Sequence, residues 1–197
     1  MDDVFIKLEL TTVYGKMAGD PAAPLLLGIH GWSQRNGWHT WEPLIEPLAA
    51  AGYYVVSIDM PGWGKSEPWG EGTVTSTAGV EAVVQVMDAL EKDTAVLLGK
   101  SWGGGIALKT AALHQKRITK LILTAPAFRE LDLAPEIIQP VLLVWAKDDP
   151  VIPIIYSENY LSILPDAELV TFETGGHSAA PKNAVAFAPT AIEFLHR

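Results

Sequence analysis

Gly99-Lys100-Ser101-Trp102-Gly103 sets a hydroxyl between two glycines, after the apolar run Ala95-Val96-Leu97-Leu98 and before the helical pattern of Ile106-Ala107-Leu108. A strand that turns sharply into a helix at a serine lifts the hydroxyl above a sheet. Glycines at 99 and 103 keep side chains out of the space where strand and helix nearly touch. A helix opening at Trp102 also aims unpaired backbone N–H groups and the positive end of its dipole at the hydroxyl. The chemistry this arrangement suits is nucleophilic attack on a carbonyl. A serine hydroxyl is a weak nucleophile at neutral pH, so Ser101 needs a general base, ordinarily an imidazole oriented by a carboxylate.

Five histidines are available. His114 lies in a helical pattern well past the serine, His196 is next to the last residue and His39 precedes a helix; all three read as solvated or packing residues. His30 ends an apolar run before Gly31 and reads as a ring that hydrogen-bonds local backbone and shapes the loop. His177 remains: it follows a β-rich run through Gly175-Gly176, which places it in a loop at the carboxyl edge of a sheet, where a base for Ser101 must be. For the carboxylate, Lys147-Asp148-Asp149-Pro150 ends another apolar run at the same edge. Two adjacent carboxylates point in different directions, so one faces the imidazole and the other turns to solvent or pairs with Lys147. The residues alone do not choose between them.

Two look-alike motifs fail. Gly99-Lys100-Ser101 and Gly64-Lys65-Ser66 end like phosphate-binding loops, but the positions that need the first glycine hold Thr94 and Asp59. Gly62-Trp63-Gly64 has Glu67 where a dinucleotide fingerprint needs its third glycine.

The elements that must position these residues alternate between short β-rich runs and longer helical patterns, the signature of an α/β fold with a mostly parallel sheet and helices on both faces. Strands are expected at residues 25–30, 53–60, 95–99, 118–125, 141–146 and 168–173, mostly continuous apolar runs, as doubly covered parallel strands require. Helices are expected at 41–51, 74–91, 102–114, 154–164 and 183–196, with Pro189 starting, kinking or splitting the last. Residues 4–17 have room for one strand or a short, tight pair. Residues 1–197 read as one domain.

With 14 Lys+Arg against 23 Asp+Glu, the net charge is −9, and the pI is near 4.9. A summed negative field of that size disfavours nucleic acid and anionic membranes as partners. A charged fraction of 19% and a mean hydropathy of +0.20 exclude intrinsic disorder. No cysteine is present, which rules out disulfides, thiolate metal sites and a thiol nucleophile. The acidic Met1-Asp2-Asp3 start and the lack of any apolar run near ~20 residues predict a cytoplasmic protein with no membrane insertion.

In this order, Ser101, then an aspartate, then His177, the chain resembles the α/β-hydrolase superfamily over essentially its whole length. In that family the acid loop commonly reads Gly-x-x-Asp-x-x-x-Pro. Ala146-Lys147-Asp148-Asp149-Pro150-Val151-Ile152-Pro153 is similar, with alanine for the glycine, and this match selects Asp149. His30-Gly31-Trp32 resembles the family's oxyanion loop, implying an oxyanion hole built from the backbone N–H groups of Trp32 and Trp102. Asp59–Ser66 resembles a further family loop, taken here as structural. Capped members insert a helical subdomain between the strands where this chain has only residues 126–140, so the site is expected to be open, with no cap domain, as in the small lidless serine hydrolases.

Trp32, Trp63 and Trp102 all fall on carboxyl-edge loops. With Gly31 they make a candidate substrate wall, in which at most two of the tryptophans touch substrate while the rest close the top of the core. Lys100 is expected to extend to solvent, the alternative being attraction of an acidic leaving group. The expected activity is hydrolysis of a small-molecule carboxylic ester without cofactor or metal, with thioester and amide cleavage as variants sharing the same residues. The alternative is a slow or vestigial hydrolase-fold module that binds a ligand or a protein. The oligomeric state, monomer or dimer, is left open.

Overall fold

The structure is a computed structural model that describes residues 1–70, 72 and 74–197. Its centre is set by apolar runs that cannot face water on either side. β3 (Leu25–Ile29), β4 (Tyr54–Ile58) and β7 (Val141–Ala146) are buried at every position. With β5 (Ala95–Lys100), β6 (Ile118–Thr124), β8 (Ala167–Phe172), β1 (Asp2–Lys7) and β2 (Thr12–Ala18) they form one eight-stranded sheet, ordered β1-β2-β4-β3-β5-β6-β7-β8. β1 pairs with β2 and β2 with β4 antiparallel, and all other pairings are parallel.

Successive side chains of each strand point to opposite faces, so each strand feeds two cores. Leu25, Leu27 and Ile29 enter one core together with α2 (Ser76–Ala89) and α3 (Trp102–Leu113), while Leu26 enters the other with α1 (Glu42–Ala50) and α6 (Ala184–His196). Burying each such leucine is worth roughly 1.5–3 kcal/mol. α4 (Tyr156–Ile163) and the short α5 (Ala179–Lys182) complete the helices.

The expected strands and helices are found, with ends shifted by a residue or two. The N-terminal stretch is the tight pair: Leu8 N–H donates to the Thr11 carbonyl at 2.8 Å and turns β1 into β2. The last helix starts beside Asn183 as expected, where Asn183 Nδ2 donates to the carbonyls of Thr174 and Ala179 at 2.8 and 2.9 Å, but Pro189 neither starts, kinks nor splits it. α6 then runs unbroken through Pro189. Between β6 and β7 lies only a 3-10 turn, Leu131–Glu136, and among the described residues there is no cap domain. Among the described residues no helix is long and apolar enough to cross a membrane.

Candidate active site

Ser101 sits where β5 passes into α3, with φ 52° and ψ −118°, a backbone conformation that a residue with a side chain adopts only when its surroundings impose it. Those surroundings are three backbone hydrogen bonds. Ser101 N–H donates to the Thr124 carbonyl at 3.0 Å, and the Ser101 carbonyl accepts from Gly105 at 3.0 Å and Ala127 at 2.8 Å. A Cβ on Gly103 would lie 2.3 Å from the His30 carbonyl oxygen, so only glycine lets α3 begin against the end of β3.

The loop after β8 carries His177, reached through Gly175 and Gly176, which have φ of 144° and 56°. His177 Nδ1 lies 2.9 Å from Asp149 Oδ2. The Asp149 side chain is fully buried. Its other oxygen, Oδ1, accepts the backbone N–H groups of Val151 at 2.8 Å and Ile152 at 3.0 Å, and these bonds offset the cost of burying a carboxylate. Of the adjacent carboxylates it is thus Asp149 that faces the imidazole. Asp148, the other carboxylate, is exposed to solvent as expected and does not pair with Lys147. Its Oδ1 accepts Gly176 N–H at 2.7 Å and fastens the histidine loop, while Lys147 pairs with Glu173.

His177 Nε2 is buried and has no hydrogen-bond partner, so Ser101 and His177 are not hydrogen-bonded to each other. Such bonds commonly tighten only when substrate is bound. Thr124, at the end of β6, links the two segments: its carbonyl holds Ser101, and its Oγ1 accepts from Ala180 of α5 at 3.4 Å.

Gly31 and Trp32 lie against the serine, with the Cβ position of Gly31 3.6 Å from Ser101 Cβ. His30 is fully buried and shapes this loop as expected. Its Nδ1 lies 2.7 Å from the Gly31 carbonyl, and Nε2 accepts Met60 N–H at 2.9 Å. Together these contacts assign the proton to Nδ1. Burial pushes the His30 pKa down to about 4. Asp59 is structural as well, its two oxygens accepting Trp38 N–H at 2.7 Å and Lys65 N–H at 2.9 Å. The N–H of Trp102 lies in the first turn of α3, where no intrahelical acceptor exists.

The tryptophans form a layered cluster. Trp32 is 48% exposed and packs edge-on against both others, while Trp63 stacks beneath Trp102 at 5.3 Å between ring centroids. Trp63 is only 3% exposed, which corrects its assignment as a substrate contact. Its Nε1 instead donates to the Trp32 carbonyl at 3.0 Å and holds that loop from behind. Lys100 also departs from expectation: it is half buried, with Nζ donating to Asn36 Oδ1 at 3.1 Å rather than extending to solvent. Burial first, and then the charge of Lys182, lower its pKa, with Asp149 opposing.

A cavity of about 390 Å³ opens at Ser101. Near the serine its wall is apolar, from Trp32, Trp102, Ile106 and Phe128. Its far end is ionic, from Lys109, Arg129 and Glu130. Lys109 Nζ bonds Glu130 Oε1 at 2.9 Å and Ser76 Oγ at 3.2 Å. The sequence reading missed these residues, though one signal was present: Gly105 and Lys109 follow Ser101 at helical spacing and so share its face of α3. A wider groove of about 810 Å³ adjoins it across Ala127, Phe128 and Arg129. Among the described residues no group of three or more His, Asp and Glu is placed to hold a metal ion.

Residues 24–138 match the family model described as alpha/beta hydrolase fold, and residues 122–197 match that of TAP-like protein. The chain belongs to the alpha/beta hydrolase fold family. A 2-hydroxy-6-oxononadienedioate/2-hydroxy-6-oxononatrienedioate hydrolase from Cupriavidus pinatubonensis is 35% identical over 102 residues, 51% of this chain and 35% of that protein. The 2-hydroxymuconate semialdehyde hydrolase of Pseudomonas sp. CF600 is 36% identical over 118 residues, 59% of this chain and 40% of that protein. These matches thus span well under two thirds of either relative. A CIB-like hydrolase from Thermoplasma acidophilum superposes with a TM-score of 0.90 at 27% identity, over 98% of this chain and 97% of that one.

Proposed function

We propose that the chain hydrolyses a carboxylic ester of a small molecule through an acyl-enzyme on Ser101. The observation that carries this reading is the pairing of a strained serine at the strand-to-helix elbow with an imidazole held by a buried carboxylate at the same edge of the sheet. In the first half of the reaction Ser101 Oγ attacks the carbonyl carbon as its proton passes to His177 Nε2. The carbonyl oxygen takes the negative charge and is received by the N–H groups of Trp32 and Trp102. Collapse breaks the ester bond, and the leaving alkoxide takes the proton from His177. Water, deprotonated by His177, then attacks the acyl-enzyme and regenerates the serine. Asp149 holds the imidazole in the tautomer that can accept at Nε2 and stabilises its charged form. A donor aimed at the oxyanion is worth ~10²–10³ in turnover.

Thioesters and amides would pass through the same steps. The relatives named 2-hydroxy-6-oxononadienedioate/2-hydroxy-6-oxononatrienedioate hydrolase and 2-hydroxymuconate semialdehyde hydrolase favour a second reading, hydrolysis of a 2-hydroxy-6-oxo dienoate, in which Ser101, His177 and Asp149 keep their roles. Assay of p-nitrophenyl esters of increasing chain length beside a 2-hydroxy-6-oxo dienoate separates the two. Ester turnover that is lost in Ser101→Ala supports the first reading; turnover of the dienoate alone replaces it with the second.

A further inference from the structure

We infer that Lys100 is a positioning residue that acts through Asn36 to hold the Gly31–Trp32 loop against the nucleophile. This inference rests on the proposed role of that loop at the oxyanion.

Strand alternation decides where Lys100 goes. Val96 and Leu98 of β5 point into the core beneath α1 and α6, and Lys100, two residues further on, leaves the sheet on the same face. There its ammonium meets the 31–37 loop. The Lys100–Asn36 bond is the one hydrogen bond among the described residues that joins this loop to β5 or Ser101. The other attachments of the loop lead elsewhere. The Trp32 carbonyl is held by Trp63, the Gly31 carbonyl by His30, and the base of the loop at Trp38 by Asp59. Those hydrogen bonds fix the loop to β3 and to the 59–66 segment, and toward the serine it otherwise has only the packing of Trp32 against Trp102.

Asn36 is well placed to transmit that distance. Its Nδ2 lies 3.4 Å from the Cβ position of Gly31, which is in turn 3.6 Å from Ser101 Cβ and 3.7 Å from the Lys100 carbonyl. Asn36 also closes its own turn, donating its backbone N–H to the Ser33 carbonyl at 2.8 Å. Pulling Asn36 toward Lys100 therefore draws the Gly31–Trp32 backbone onto the elbow. A half-buried ammonium is costly unless it is bonded, and here the amide oxygen, with the negative charge of Asp149 in range, supplies the compensation. Placing the clamp on the residue next to the nucleophile gives the separation between attacking atom and the Trp32 donor a polar tie of its own, beside the edge-on packing of Trp32 on Trp102.

The test uses Lys100→Met, Asn36→Ala, the double variant and Lys100→Arg. Steady-state hydrolysis of p-nitrophenyl acetate is measured together with amide hydrogen exchange across residues 31–37. A donor misplaced by about 1 Å costs up to ~10² in rate. Each single variant is therefore expected to lose about 10- to 100-fold in kcat with KM within about twofold, the double variant to lose no more than the worse single, and Lys100→Arg to recover most of the rate. Exchange in 31–37 rises about tenfold in Lys100→Met and Asn36→Ala and stays unchanged elsewhere. Unchanged exchange in the loop, additive losses, or a rise in KM at constant kcat overturns the inference. A wild-type protein that turns over no ester, with exchange in 31–37 still accelerated in Lys100→Met and Asn36→Ala, refutes the proposed function and leaves the clamp standing.

Discussion

Lowering the pH should destabilise the protein through His30. The ring is fully buried, and its Nε2 accepts Met60 N–H at 2.9 Å, so a proton can enter only by breaking that bond and charging a site without water. Its pKa is pushed down to about 4, against about 6.5 in the unfolded chain. Between those values the unfolded state binds the extra proton and the folded state does not. Stability from this residue is therefore fully present above pH 6.5 and lost as the pH falls toward 4. The slope reaches about 1.4 kcal/mol per pH unit, and the whole loss is about 3 kcal/mol, a large part of a typical 5–15 kcal/mol. Urea denaturation from pH 8 to pH 4 of the wild type and of His30→Gln, which keeps a polar side chain but cannot titrate, isolates this contribution. The two stability curves should converge by about 3 kcal/mol as the pH falls. Curves that stay parallel refute the argument.

Ser101→Gly removes the Cβ from a residue at φ 52°, ψ −118°; the relief of strain, less the entropy of an added glycine, should stabilise the fold by about 1 kcal/mol and raise Tm by about 2–4 °C in a thermal melt, while abolishing activity. Tyr160 OH donates to the Pro126 carbonyl at 2.7 Å and accepts Phe128 N–H at 3.0 Å, so Tyr160→Phe strands two buried groups and should cost about 2 kcal/mol in urea denaturation. Asp149→Asn leaves His177 Nδ1 facing an amide in place of a carboxylate; ester kcat should fall by roughly 10³–10⁴ with little change in KM.

What was legible in the sequence was what a local pattern determines. Strands buried on both faces must be apolar throughout, so β3 to β7 stood out. The elbow is a pentapeptide whose steric demands fall on its own glycines. The choice between Asp148 and Asp149 did not follow from such a pattern, because both leave β7 within the same loop. It depends on Val151 and Ile152 turning their N–H groups back to Asp149 and on Gly176 reaching Asp148 from a distant segment. Trp63 and Lys100 were misplaced for a related reason. A loop tryptophan looks the same in sequence whether it faces substrate or underlies Trp102, and a lysine after a strand looks solvated until Asn36, 64 positions away in the chain, supplies an acceptor. Pro189 suggested a start, kink or split in the last helix, but α6 runs through it from the expected start beside Asn183, whose side chain bonds backbone carbonyls there.

The central claim is that Ser101 is an activated nucleophile, and covalent labelling tests it most directly. Intact mass is recorded after a fluorophosphonate probe is added to the wild type and to Ser101→Ala, each shown to be folded by circular dichroism. The account predicts one adduct on the wild type and none on the variant. A folded wild type that takes up no probe, or an adduct that persists in Ser101→Ala, contradicts it.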